Sequence, residues 1–142
     1  MAILRKLIIM DKIKEVDYSL YLIMENMPKD SKEFNNMGLL KDGIMKRLEL
    51  IIQNIIDICA IISSDLRLEK PDSEEKIIDN LGKAGILNNE MVNKIKEMKG
   101  LRNILVHRYG KINDELIFEN INKDLDDINN FINEIDLFIN NK

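Results

Sequence analysis

Apolar positions along this chain recur at helical spacing, in runs that lack the alternation of a strand. From Ile3 to Met27 they fall at Ile3, Leu7, Met10, Ile13, Leu20, Met24 and Met27, which predicts a first helix stopped by Pro28. Asp30 or Ser31 can cap the next helix, with Glu33 close behind. The stretch LLKDGIMKRLELIIQNIIDICAIIS that follows is apolar on more than one face. Ile51, Ile52, Ile55, Ile56, Ile58, Cys59 and Ile62 must therefore be covered twice. Either a partner subunit supplies the second cover, or this is the central helix of a monomeric bundle.

Pro71 and a cap at Asp72 or Ser73 open a short helix, DSEEKIIDNLGKAG, with Gly82 and Gly85 near its end. Asn88 or Asn89 starts the next, through MVNKIKEMKGLRNILVHRY, and Gly110 is placed to end it in the left-handed conformation. The last helix is the clearest. Ile117, Ile121, Leu125, Ile128, Ile132, Ile135 and Ile139 step by three or four, while the other faces are acidic and asparagine-rich, so one stripe packs and the rest is solvated.

Composition narrows the class without changing this picture. With 45% apolar and 32% charged residues, two prolines and six glycines in 142 positions, the chain suits one helix-rich globule. A single cysteine, Cys59, excludes an intrachain disulfide and a Cys-cluster metal site, and fits a reducing, cytoplasmic setting. No signal peptide and no span of roughly 20 uncharged apolar residues is visible, so a soluble, unprocessed chain without membrane association is expected.

The candidate chemistry lies in LRNILVHRYGKI, which holds the only histidine. At about 100° per residue, Leu101, Ile104 and Leu105 share the packing arc, and Arg102, Asn103, Val106 and His107 lie opposite. Tyr109 returns to nearly the angle of Arg102, and Asn103 stands one turn before His107. At a helix end the carbonyl dipoles favour a positive imidazolium, whereas Arg102 and Arg108 oppose it.

Arginine and histidine without paired acids or a nucleophilic serine suit metal-free chemistry on an RNA phosphodiester, where the 2′-hydroxyl is the nucleophile. The imidazole moves the proton, and the guanidinium fork binds the phosphate and its growing charge. One imidazole per chain leaves acid or base missing, and a twofold dimer would supply the second.

The net charge of −4 argues against a general nucleic-acid binder. Locally, Lys94, Lys96, Lys99, Arg102, Arg108 and Lys111 face only Glu97, while from Asn113 onward eight acids oppose two lysines. RNA should meet the helix of the motif and avoid the last one.

Arg102, four intervening residues, His107, Arg108 and Tyr109 resemble the Arg-x4-His-x-Tyr signature of the HepT-like toxins of the HEPN superfamily. The order of helices around LELIIQNIIDICAII and LRNILVHRYGKI is similar along most of the chain. The resemblance implies a single HEPN-like helical domain over residues 1–142. Its fold would be an all-α, up-and-down bundle of about five helices, a homodimer joined through helix faces near the Arg/His motif.

The function implied is metal-independent RNA cleavage by Arg102 and His107, supported by Asn103, without a cofactor. The implied partner is a nucleotidyltransferase antitoxin of the MNT type, which would silence the site by attaching AMP to Tyr109. Arg108 departs from the family, where an acid is frequent; it either adds phosphate affinity or disfavours the protonated imidazole. Asp57 resembles an acidic position of the family's second helix, and either pairs with an arginine near the site or hydrogen-bonds within the bundle. Two other functions stay open: a non-catalytic HEPN-type module that binds a nucleotidyltransferase or nucleotide, and a small helical assembly protein.

Overall fold

The computed structural model describes residues 3–107 and 113–141, and all regular structure in them is helical. The elements are α1 (Lys6–Asn26), α2 (Ser31–Asn35), α3 (Leu39–Asp65), α4 (Glu74–Lys83), α5 (Asn89–Val106) and α6 (Asp114–Asn140). Their starts are chemically marked. The side chains of Asp30, Ser73, Asn88 and Asn113 accept the N–H of Glu33, Lys76, Met91 and Leu116 at 2.8, 3.1, 2.8 and 3.2 Å. Each satisfies a donor that the first helical turn leaves unpaired.

The expected five helices become six because the segment capped by Asp30 does not run on into α3. Gly38, at φ 60° and ψ −126°, turns the chain in a conformation that a side chain would strain. α4 closes in a Schellman motif: Gly85, at φ 75°, donates to the carbonyl of Gly82, and Ile86 donates to that of Leu81 at 3.0 Å. The described part of α5 ends at Val106 with His107 as its cap, and Gly110 lies outside the described residues.

α3 is the axis of the molecule. α1 packs along one side of it and α4 and α5 along the other, while α6 packs against α2, α5 and α1. Ile51, Ile52, Ile55, Ile56, Ile58, Cys59 and Ile62 are all buried within this one chain. The second cover of the doubly apolar helix is thus the protein's own helices and not a partner subunit. Burial pushes the thiol of Cys59 up to about 12.

Two helices depart from the expected pattern. On α1 the buried face is Ile9, Ile13, Val16, Leu20 and Ile23, whereas Ile3, Leu7, Met10 and Met24 are exposed. Alternating steps of four and three hold the buried set on one arc, but the two successive steps of three from Leu7 to Ile13 rotate the expected stripe away from it. On α6 the apolar stripe packs as read, with Leu125 only partly covered. Beside it, however, Asp124 and Asp127 are buried where a solvated flank was expected. Lys94 of α5 reaches Asp127 at 2.8 Å, which makes one of these burials tolerable.

Among the described residues no helix is long and apolar enough to cross a membrane.

Candidate functional site at the end of helix α5

α5 packs through Met98, Leu101 and Leu105, and Arg102 shares their arc, so its guanidinium is buried and does not face outward as expected. The reason is chemical: acceptors from three helices wait there. Arg102 Nη1 donates to Gln53 Oε1 of α3 at 2.9 Å and to Glu74 Oε2 of α4 at 3.1 Å. Its Nη2 donates to Glu74 Oε1 at 2.7 Å and to Asn103 Oδ1 at 2.9 Å. The bidentate pair with Glu74 is charge-assisted, and the bond from Arg102 holds the Glu74 carboxyl below the usual carboxylate range.

Gln53 is itself fixed from behind. Its Nε2 donates to Asp57 Oδ1 at 2.9 Å, so its carbonyl is the end turned toward Arg102, and Lys12 Nζ donates to Asp57 Oδ2 at 3.5 Å. Asp57 is half-buried and not fully enclosed by its apolar neighbours; among the described residues it pairs with no arginine and hydrogen-bonds within the bundle, to Gln53, which in turn accepts from Arg102. Asn103 is exposed, and its side-chain oxygen accepts directly from the guanidinium.

His107 is exposed, on the side of α5 away from the packing arc, as expected. Its backbone N–H donates to the carbonyl of Asn103 at 3.0 Å. Ile104 was expected in the packing arc but is 51% exposed, as is Val106. The arc is centred between Leu101 and Leu105 and takes in Arg102 at one edge, which leaves Ile104 at the margin. Arg108 and Tyr109 lie outside the described residues.

The basic cluster is largely neutralised inside the bundle. Lys94 meets Asp127 at 2.8 Å and Glu90 at 3.1 Å, Lys96 meets Asp79 at 2.6 Å, and Lys99 lies 3.8 Å from Glu75. The expected basic face for RNA therefore shrinks, because acids of α4 and α6 answer most of it. The hydrogen bonds that Lys94 donates to Asp127 and then to Glu90 push its ammonium up to about 12.

Two functional partners escaped the sequence reading. Gln53 had a visible signal: it is a polar break in an apolar run, four residues before Asp57, the spacing at which helical side chains meet. Glu74 had none beyond being an acid in a first helical turn, a common position for reasons unrelated to any site. Asp124 lines a groove of about 260 Å³ between α5 and α6, beside Leu101 and Ile104. Burial, and then the charge of Asp127, push its carboxyl up to about 6.

Known proteins share this arrangement of helices. A family model described as Ribonuclease HepT-like matches residues 11–135. The mRNA nuclease HepT of Shewanella oneidensis is 27% identical over 106 residues, 75% of this chain and 80% of that protein. The tRNA nuclease HepT of Aphanizomenon flos-aquae is 34% identical over 92 residues, 65% of this chain and 63% of that protein. A tri-AMPylated Shewanella oneidensis HEPN toxin, solved in complex with its MNT antitoxin, matches with a TM-score of 0.83 at 26% identity over 92% of this chain and 97% of that one. The cytosolic protein YutE of Bacillus subtilis has the same TM-score at 16% identity, covering 98% and 93%, which is a likeness of fold alone.

The class defined by the bundle and its α5 motif is an all-α ribonuclease of the HEPN kind. Within it, the chain belongs to the ribonuclease HepT-like family, whose model spans both Arg102 and His107.

Proposed function

We propose that this protein is a metal-independent endoribonuclease toxin of a HEPN/MNT-type toxin–antitoxin system, acting in the cytoplasm as one HEPN-type unit over residues 1–142. The observation that carries this reading is the pairing on one helix end of a rigidly held guanidinium with the chain's only imidazole, exposed. Arg102 and His107 are the catalytic pair; Asn103, Arg108 and Asp57 support them.

In the reaction the 2′-oxygen of RNA attacks the adjacent phosphorus and the bond from phosphorus to the 5′-oxygen breaks. One imidazole takes the 2′-hydroxyl proton and another gives a proton to the leaving oxygen, while Arg102 meets the charge gathering on the phosphoryl oxygens. Two imidazoles require two chains, so the active species is a homodimer with the α5 ends facing each other. Half-exposed Ile104 and Val106, flanking His107, are apolar surface that such a partner would cover. The RNA-site partner is an MNT-type nucleotidyltransferase that silences the toxin by AMPylation of Tyr109; the Shewanella relative, AMPylated and bound to its antitoxin, supports this.

The test is cleavage of single-stranded RNA by the purified protein in excess chelator. His107→Ala and Arg102→Ala should abolish it, and activity equal to wild type in both would refute the proposal. Incubation with the partner enzyme and ATP should add nucleotide mass to the wild type and not to Tyr109→Phe. One observation favours the alternative of a non-catalytic module that binds a nucleotidyltransferase: the terminal nitrogens of Arg102 are already engaged by Glu74. A dimer that binds the transferase tightly but never cuts RNA would establish that reading.

A further inference from the structure

The guanidinium of Arg102 is saturated on its terminal nitrogens, and its three partners are not alike. Gln53 and Asn103 are neutral amides; Glu74 is an anion lying end-on across both Nη atoms, at 2.7 and 3.1 Å. That is the bidentate geometry in which arginine binds a phosphodiester. We propose that Glu74 is an internal competitor for the RNA phosphate, a carboxylate that occupies the fork in the free protein and must swing out before substrate engages. This rests on the reading of Arg102 as the phosphate-binding group.

Three features favour exchange over a permanent contact. A phosphodiester and a carboxylate are both monoanions, so replacing one by the other leaves the buried guanidinium with the same compensation. Holding both would set two anions against one cation in a site where Arg102 has a side-chain exposure of only 9%. Glu74 is the exposed member of the pair, at 35%, and stands in the first turn of α4. Rotated into water, it keeps the favourable field of that helix N-terminus. The neutral partners need not move. Gln53, fixed by Asp57, and Asn103 hold the guanidinium in place while its charged partner changes.

The experiment compares binding of a single-stranded RNA oligonucleotide by fluorescence anisotropy, in a His107→Ala background that prevents cutting, with and without Glu74→Gln. The amide loses the charge, and Kd should fall on the order of tenfold, the scale of one charge-assisted hydrogen bond. In otherwise wild-type protein, KM should fall with kcat unchanged. Glu75→Gln is the control: it makes the same charge change one residue away, on an acid 3.8 Å from Lys99, and should alter affinity less than about twofold.

An equal gain in Glu75→Gln, or unchanged or weaker RNA binding by a folded Glu74→Gln, overturns the proposal. So does a loss of kcat at constant KM, which would make Glu74 a positioning residue. If Glu74→Gln does not fold, Glu74→Asp, which keeps the charge but is one methylene short, must still bind RNA more tightly than wild type. Wild-type protein that cuts no RNA, with Glu74→Gln binding it more tightly, would end the nuclease reading and leave the competitor standing.

Discussion

Replacing Arg102 by alanine should unfold the protein more easily as well as silence it, and the two effects can be separated. The substitution deletes the bonds to Gln53, Glu74 and Asn103 and strands their acceptors. A fully buried pair broken on one side costs about 3–5 kcal/mol. Glu74, about a third exposed, can rehydrate, so a loss of about 2 kcal/mol is expected for Arg102→Ala. Glu74→Ala should cost about 1 kcal/mol. The double variant should lose little more than Arg102→Ala alone, giving a coupling of about 1 kcal/mol between the two sites. Urea denaturation of the four proteins at one protein concentration, followed by circular dichroism, measures this cycle. For a chain of this length 2 kcal/mol also lowers Tm by roughly 6–10 °C. Arg102→Ala within 0.5 kcal/mol of wild type, or losses that add with no coupling, would refute the argument that the site's arginine is held as a structural tie.

His107 lies outside the packing arc, so His107→Ala should abolish RNA cleavage while shifting stability by less than about 0.5 kcal/mol; a large drop in the same melts would contradict that placement. Asp124 has its ionisation raised by folding, from the ordinary carboxylate value to about 6, so its contribution is most favourable below about pH 4 and is lost as pH rises through 6. Asp124→Asn should therefore stabilise the protein at pH 7 by about 1–2 kcal/mol, discounted for the open groove and for Lys123, and by nothing near pH 4; a gain independent of pH would count against it. A Cβ on Gly82 would meet Val92 Cγ2 at 2.8 Å, a stiff β-branched neighbour, whereas one on Gly43 meets nothing within 4 Å. Thermal melts should show Gly82→Ala destabilised by about 1–2 kcal/mol and Gly43→Ala stabilised by about 0.5–1 kcal/mol.

What the chain order made legible, and what it hid, follows from the range of the interactions. Caps at Asp30, Ser73 and Asn88 were readable because a cap is a contact across three residues. The α6 stripe was readable because its isoleucines repeat unbroken while the other apolar residues of that helix, such as exposed Leu116 and Leu137, are too few to form a second one, whereas α1 carries two apolar stripes and periodicity alone cannot say which one the core selects. The break at Gly38 had a local cue, the turn-forming run Asn35, Asn36, Met37, Gly38, which the long apolar pattern after it overshadowed. His107 was placed correctly because exposure follows from helical angle. Arg102 was not, since its burial depends on partners 49 and 28 residues away, and no spacing rule links Gln53 or Glu74 to it. The same range explains the basic cluster: its compensating acids Asp79, Glu75 and Asp127 sit on other helices, invisible to a count taken along α5.

The lone thiol, buried in the C-terminal third of α3, offers a different kind of handle. Burial pushes its ionisation up to about 12, so in the folded protein at neutral pH it is a covered thiol and not the thiolate that oxidants and alkylating reagents attack. Once the chain opens, the same group regains ordinary reactivity. The rate at which a thiol reagent consumes Cys59 therefore acts as a clock for how often the bundle opens around the C-terminal part of α3, with no label added to the molecule.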